Sequence, residues 1–345
     1  MAEAELEDDV ALAPDARPML DRAEAPWLEP ARSRLAQQQE QGRLPHGFLF
    51  AGSPGAGQPE LGAWLSARLL CRGEGARPCR ACADCRLFLA GSHPDYRWIG
   101  VLPDKKEIGI GQVRALSEAL SLRSYRSGAK ATVIWPAELM NAHSCNALLK
   151  TLEEPREDTF LVLAASRIER LPKTVLSRCM RVAMPLPGAA EALAWLNKVE
   201  PREDWPALLS LAGGSPFLAL EYAEAGLGDL DAEMQEAIAA AEEGRLDIVA
   251  FAEVSARKAP AARLAWLESW LTHSLKEAAL ASDLVNNNRL PWLRPPERDT
   301  KIRAGHALLD QLRDARRQVG GPLNMQLLFE GVSVSLAALL GRKAG

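Results

Sequence analysis

The stretch FLFAGSPGAGQPELGAWLSARLL, residues 48–70, holds three patterns in a row. Phe48–Ala51 has no polar side chain, which is typical of a buried strand. The loop GSPGAG follows, and Glu60–Leu70 then repeats apolar residues at helical spacing. A strand, a glycine-rich turn and a helix in this order predict the start of a βαβ unit.

The next hundred residues continue the alternation. Helical spacing recurs over Ile110–Leu120 and Cys145–Leu152, and apolar strand patterns recur over Ala131–Trp135 and Phe160–Ala164. Pro155 ends the second of these helices. Alternating strands and helices predict a parallel sheet with helices on both faces, so we expect the α/β class here.

Strand patterns stop near Pro187, and the rest of the chain has helical spacing only. At 345 residues the chain is long enough for two or three domains. We predict an acidic disordered tail at 1–24, an α/β domain at 25–186, a small helical domain at 187–227 and a larger all-α domain at 228–345.

The tail prediction depends on charge. Residues 1–24 hold eight acidic side chains against two arginines and few large apolar residues, which favours disorder. This segment lacks the basic and apolar stretches of a secretory signal, and no segment approaches the ~20 apolar residues that cross a membrane. The expected compartment is the cytoplasm, with no membrane partner.

The loop at 52–59 departs from a working phosphate-binding loop, G-x-x-x-x-G-K-[ST]. In that motif backbone N–H groups cradle the phosphates, the lysine reaches the β and γ groups, and the hydroxyl holds magnesium. Gly52 and Gly57 keep the frame here, but Gln58 replaces the lysine, and Pro59 replaces the hydroxyl residue and lacks an N–H. The next strand ends in Trp135 and a proline, without a carboxylate. We expect no functional ATP site; an ordinary tight turn is the alternative interpretation.

Four of the six cysteines lie within fifteen residues: Cys71, Cys79, Cys82 and Cys85. Their C-x-x-C steps let pairs of thiolates reach one ion, and tetrahedral zinc with four sulfurs is the expected product. Such a closed site is structural and predicts a zinc module at 71–85. An iron–sulfur cluster and free buried cysteines are the alternatives.

Two motifs carry a family resemblance. The sequence NALLKTLEEP, residues 146–155, and Ser-Arg-Cys, residues 177–179, together resemble the clamp-loader branch of the AAA+ proteins. The cysteine cluster, the phrase HPDY at 93–96 and the missing lysine resemble the delta prime subunits of bacterial DNA polymerase III more than the gamma/tau ATPases. The resemblance covers about residues 26–220, and the rest matches in helical character and length.

This resemblance implies an AAA+ RecA-like domain with a zinc-binding insertion, a helical lid and an all-α collar through which subunits assemble. It also implies that Arg178 is an arginine finger directed at the γ-phosphate on an adjacent gamma/tau subunit. The implied partners are gamma/tau, delta, the sliding clamp and, through the complex, primed DNA. The alternative for Arg178 is an arginine that caps the sheet edge or pairs with a surface carboxylate. Glu153 and Glu154 are expected to make contacts at the helix end and at an interface.

Two rival functions remain open. The first rival is an ATP-hydrolysing AAA+ subunit with an unorthodox loop. The second is a zinc-containing nucleic-acid binder, although the chain after residue 24 lacks the strong basic stripe expected of one. The favoured expectation is an accessory subunit of a nucleotidyltransferase holoenzyme, a DNA-directed DNA polymerase, with no intrinsic ATPase.

Overall fold

The computed structural model describes residues 14–103, 105–126, 128–280, 292–293, 297–319 and 324–341. The chain divides into two compact units, Met1–Glu191 and Ala192–Gly345. The predicted helical lid and collar both fall mainly within the second unit, and their separation into two domains stays a prediction.

The described strands all belong to the first unit: β1 Gly47–Gly52, β2 Tyr96–Ile99, β3 Lys130–Ile134, β4 Thr159–Ala165 and β5 Met180–Met184. They form one parallel sheet in the order β2-β3-β4-β1-β5. The helices before and between them are α1 Ala16–Arg22, α2 Glu29–Glu40, α3 Gln58–Leu70, α4 Ala83–Leu89, α5 Ile110–Ser121, α6 Ala142–Glu153 and α7 Lys173–Leu176.

Helices cover both faces of the sheet, as predicted for an α/β fold. On one face, the apolar sides of α5 and α6 pack against β1, β3 and β4 in a core that includes Leu49, Leu116, Leu148 and Leu161. On the other face, α3 lies close to the sheet, and a Cβ added at Gly62 would be 3.3 Å from Val133 side-chain atoms. The α/β prediction with a parallel sheet is confirmed.

The two edge strands were the hardest to find from sequence. β2 has four residues and only its second half is buried, so it lacks the continuous apolar run of β1 or β4. β5 alternates between buried and more exposed residues, with Val182 and Met184 inward. Sequence analysis did not assign β2 because a short, half-exposed strand has too weak a pattern.

The disordered tail prediction is wrong for the part of it that the structure describes. Asp15 caps α1 by accepting a hydrogen bond from Arg17 N at 3.0 Å, and Met19 and Leu20 are buried. The helix packs against α3. The acidic composition favours disorder, but burial of these few apolar residues contributes to ordering the helix. The remainder of the predicted tail, residues 1–13, lies outside the described residues.

The remaining elements are helices: α8 Ala189–Val199, α9 Trp205–Leu211, α10 Pro216–Glu224, α11 Leu230–Glu242, α12 Ile248–Arg257, α13 Pro260–Leu280, α14 Arg298–Gln318 and α15 Met325–Leu340. Ser215 caps α10 through its Oγ, which accepts a hydrogen bond from Leu218 N at 3.4 Å, and Pro216 begins the helix. Leucines at helical spacing on α13, including Leu264 and Leu271, are buried in the second unit. Among the described helices, none has the length and hydropathy needed to cross a membrane.

Candidate functional site

The glycine loop joins β1 to α3 at the carboxyl edge of the sheet. Gly55 and Gly57 have φ of 70° and 107°, a region that favours glycine and allows the tight turn. Gln58 is completely buried at the start of α3. Its Nε2 donates to Gly52 O at 2.7 Å and to Ser53 O at 3.0 Å, and it lies 3.4 Å from Ala165 O.

The loop therefore closes on the amide of its own Gln58. A phosphate site needs several N–H donors that converge on one anion. Here two loop carbonyl oxygens converge on one side-chain nitrogen instead. Pro59 lies in the first turn of α3, where it provides no N–H donor.

A buried carboxylate that sequence analysis missed lies near this loop. Glu138 follows β3 in a short 3₁₀ turn, is 7% exposed and accepts a hydrogen bond from Ser166 N at 3.1 Å. Ser166 directly follows Ala165, whose carbonyl Gln58 approaches. The absence of a carboxylate at Trp135 and its following proline is correct, but an acidic group four residues after the strand reaches the same edge of the sheet. One of its oxygens is used to hold the backbone after β4.

Arg178 lies near the amino ends of the strands, whereas the glycine loop lies at their carboxyl ends. It precedes β5, and a Cβ at Gly47 would lie 3.1 Å from Arg178 O. Gly47 begins β1 and Gly52, where the glycine loop starts, ends it. The five residue steps from Gly47 to Gly52 span about 17 Å, at roughly 3.3 Å per residue. Arg178 therefore lies far from the glycine loop of its own chain.

The Arg178 side chain is one-third exposed and paired with Glu153. Its Nε donates to Glu153 Oε1 at 2.8 Å, and its Nη1 donates to Thr174 O at 2.8 Å. The paired-carboxylate alternative is therefore a real contact, and one third of the Arg178 side chain stays exposed.

The four clustered cysteines lie together, as predicted. Their Sγ atoms are all within 4.8 Å of one another, with Cys71 and Cys82 at 4.0 Å and Cys79 and Cys85 at 3.9 Å. Four sulfurs bound tetrahedrally at about 2.3 Å from one zinc would be roughly 3.8 Å apart, so the donor set fits such an ion. Cys82 caps α4, Cys85 lies in its first turn, and the group can hold a metal ion such as zinc.

Backbone N–H groups point at these sulfurs. Cys79 N, Cys82 N and Cys85 N each lie 3.3–3.4 Å from the Sγ of the preceding cysteine in the cluster. Burial opposes ionisation of Cys82, but the backbone N–H groups of Cys85 and Arg72 and its neighbouring thiols outweigh it and lower the Cys82 pKa to about 6. Burial raises the pKa of Cys71 and of Cys85, and a bound cation would offset that cost.

Gly73 is required by the compactness of the cluster. A Cβ there would lie 2.4 Å from Cys79 Sγ, a distance no real Cβ contact adopts. The two remaining cysteines do not join the cluster. Cys145 is buried in α6, and burial raises the pKa of Cys179 to about 12, so neither thiol suits a nucleophile.

The segments between the cysteines hold two other parts of the unit. Arg80 donates to Asp21 Oδ1 and Glu24 Oε1, each at 2.6 Å, which ties the cluster to α1. Asp84 is buried, and its Oδ1 accepts a hydrogen bond from Arg126 Nε. This contact connects the cluster to the loop before β3. Neither anchor is predictable from a local sequence pattern, because the two partners of each are distant in sequence.

The phrase HPDY has a structural explanation. The Asp95 carboxylate accepts hydrogen bonds from Ser124 Oγ at 2.9 Å, Tyr125 N at 2.8 Å and Arg126 N at 2.9 Å. His93 Nδ1 accepts from Asp95 N at 3.1 Å. These residues shape the loop before β3.

Comparison with known proteins identifies the family. Residues 28–187 match the family model described as DNA polymerase III, delta subunit. The DNA polymerase III subunit delta′ of Pseudomonas aeruginosa is 38% identical over 217 residues, which cover 62% of this chain and 65% of the relative. The subunit delta′ of Escherichia coli K12 is 33% identical over 264 residues, 76% of this chain and 79% of the relative.

The chain belongs to the DNA polymerase III subunit delta′ family. Its match spans slightly less than two thirds of the Pseudomonas relative. This delta′ family chain is also 34% identical, over 140 residues or 40% of its length, to the DNA polymerase III subunit gamma of Buchnera aphidicola. The predicted delta′ family is confirmed, and the five-stranded parallel sheet agrees with the α/β domain expected for it. The roles of Arg178, the loop and the cysteines stay predictions.

Proposed function

We propose that this chain is a clamp-loader subunit of the delta′ kind that does not hydrolyse ATP itself. The observation that supports this most is the glycine loop closed on Gln58 Nε2. With no ammonium group, no magnesium-holding hydroxyl and one N–H fewer, the loop offers little to a triphosphate. The degenerate residues Gly52, Gly57, Gln58 and Pro59 keep the turn and not the chemistry.

We further propose that Arg178 acts in trans as an arginine finger. Its distance from its own loop argues against a role in cis, and its side chain is one-third exposed. Phosphoryl transfer builds negative charge on the equatorial oxygens, and a guanidinium placed there stabilises it. The recipient is the ATP on a neighbouring gamma/tau subunit.

The proposed assembly contains gamma/tau and delta subunits and places the sliding clamp on primed DNA in the cytoplasm. Support comes from the delta′ and gamma relatives, whose names describe them as subunits of DNA polymerase III. The helices of residues 187–227 serve as the lid, and those of 228–345 form the collar through which subunits meet.

The cysteine cluster is proposed to hold a structural zinc ion. Cys71, Cys79, Cys82 and Cys85 supply the full set of four ligands, so no position is open for substrate. Zinc would contribute folding free energy to the module and no step of ATP hydrolysis.

Two measurements test the proposal. The isolated chain should show no ATP turnover with magnesium, and turnover would favour the rival ATP-hydrolysing function. In a complex reconstituted with gamma/tau and delta, Arg178→Ala should slow DNA-stimulated hydrolysis at the one site that this chain completes by ~10³-fold, the lower end for arginine fingers. Exposed Arg181→Ala is the matched control, and an unchanged rate in Arg178→Ala rejects the finger.

A further inference from the structure

Arg178 is held from two sides within its own subunit. Its Nε and Nη2 both face the carboxylate of Glu153, the last residue of α6. On the other side, its Nη1 donates to Thr174 O at 2.8 Å and to Ser177 Oγ at 3.3 Å, at the end of α7. The end of α6 and the short α7 therefore fix both the position and the plane of the guanidinium.

These contacts leave few donors for an outside ligand. A guanidinium has five N–H groups in one plane. The Glu153 carboxylate pairs with Nε and Nη2, and Nη1 donates to Thr174 O and Ser177 Oγ. Nη2 keeps one further N–H group beyond its contact with Glu153, and the side chain as a whole is 33% exposed.

We propose that Glu153 is a positioning residue that presents Arg178 to the neighbouring nucleotide. This inference rests on the proposed function of Arg178 as a finger. Glu153 touches no phosphate; it accepts hydrogen bonds from Nε and Nη2 and so keeps a long side chain in one rotamer. An arginine that is already ordered does not have to be ordered in the transition state.

The Glu153 carboxylate also acts in the opposite direction, because it reduces the local positive charge that a phosphate meets. Glu153 is 48% exposed, so solvent and salt screen this effect. Orientation depends on contact geometry and is not screened in that way. Orientation therefore dominates, and removing Glu153 is expected to slow hydrolysis rather than speed it.

The test uses the reconstituted complex of gamma/tau, delta and the full chain, with primed DNA and ATP. We define the Arg178-dependent rate as the part of the hydrolysis rate that Arg178→Ala removes. Glu153→Ala should lower this rate about 3- to 10-fold, the effect of freeing one long side chain. Glu153→Gln keeps an acceptor oxygen and should recover much of the loss. Exposed Glu157→Ala removes the same charge four residues later, at a position with no proposed contact, and should leave the rate unchanged.

A double-mutant cycle separates positioning from a general structural role. In the Arg178→Ala background, Glu153→Ala should not change the total hydrolysis rate any further, because the partner of Glu153 is absent. An equal loss in both backgrounds, an unchanged rate in Glu153→Ala, or an increased rate overturns the positioning role alone. If Arg178→Ala leaves the rate at the wild-type value, the finger itself fails and this inference fails with it. Circular dichroism and thermal melting check that each variant is folded.

Discussion

Gln58 shows how one side chain can change the hydrogen bonding of a glycine-rich turn. In a working loop the residue at this position is a lysine that extends to the phosphates. Gln58 is shorter and neutral, and it turns back so that its amide satisfies the carbonyl oxygens of Gly52 and Ser53. The glycines of the loop are thus explained by the turn that they permit, and the loop carbonyl oxygens have an internal hydrogen-bond partner.

We predict that Gln58→Ala destabilises the first unit without creating an ATPase. Loss of two short hydrogen bonds at a buried site lowers the free energy of unfolding by about 2 kcal/mol, at roughly 1 kcal/mol each. Hydrogen exchange of the β1 amides in increasing urea measures this change, and exposed Gln37→Ala is the control. ATP turnover by Gln58→Ala would contradict the prediction, because neither the lysine nor the hydroxyl has been restored.

At the scale of elements, the cysteine module connects segments that are far apart in the chain. Arg80 lies between Cys79 and Cys82 and reaches α1, whereas Asp84 lies between Cys82 and Cys85 and receives Arg126. A metal ion bound by the four sulfurs would also fix the positions of Arg80 and Asp84. It would then stabilise the contacts of the module with α1 and with the loop before β3.

We predict that Arg80→Ala increases local opening of α1 about 3- to 10-fold, because ion pairs of this exposure contribute roughly 1 kcal/mol in total. Limited tryptic cleavage in α1, followed by mass spectrometry, measures the opening. Arg86→Ala removes the same charge from the exposed side of α4 and should not change the cleavage rate. Equal cleavage of both variants and the wild type would show that burial of Met19 and Leu20 alone holds the helix.

For the whole molecule, the chain divides into two compact units, and the cysteine module belongs to the first. Removal of a metal should thus destabilise one unit and not the other.

We predict that a zinc chelator increases deuterium uptake in α1, α4 and the loop around Arg126, and leaves α11–α15 unchanged. Loss of the ion removes folding free energy from the module. Hydrogen–deuterium exchange with mass spectrometry measures the uptake, and Cys82→Ser should reproduce the pattern without a chelator. A comparable increase across α11–α15 would contradict separate stabilisation of the two units.

Local patterns in the sequence were enough to predict the α/β class, the course of β1, β3 and β4, the degenerate loop and the grouping of the four cysteines. Each of these depends on residues that are close in the chain, where periodicity and spacing act directly. Only the tertiary structure showed that α1 is ordered, that Glu138 returns to the edge of the sheet, and that Glu153 holds Arg178. Those features depend on contacts between distant residues, and on burial that offsets an unfavourable local composition, so no local pattern specifies them.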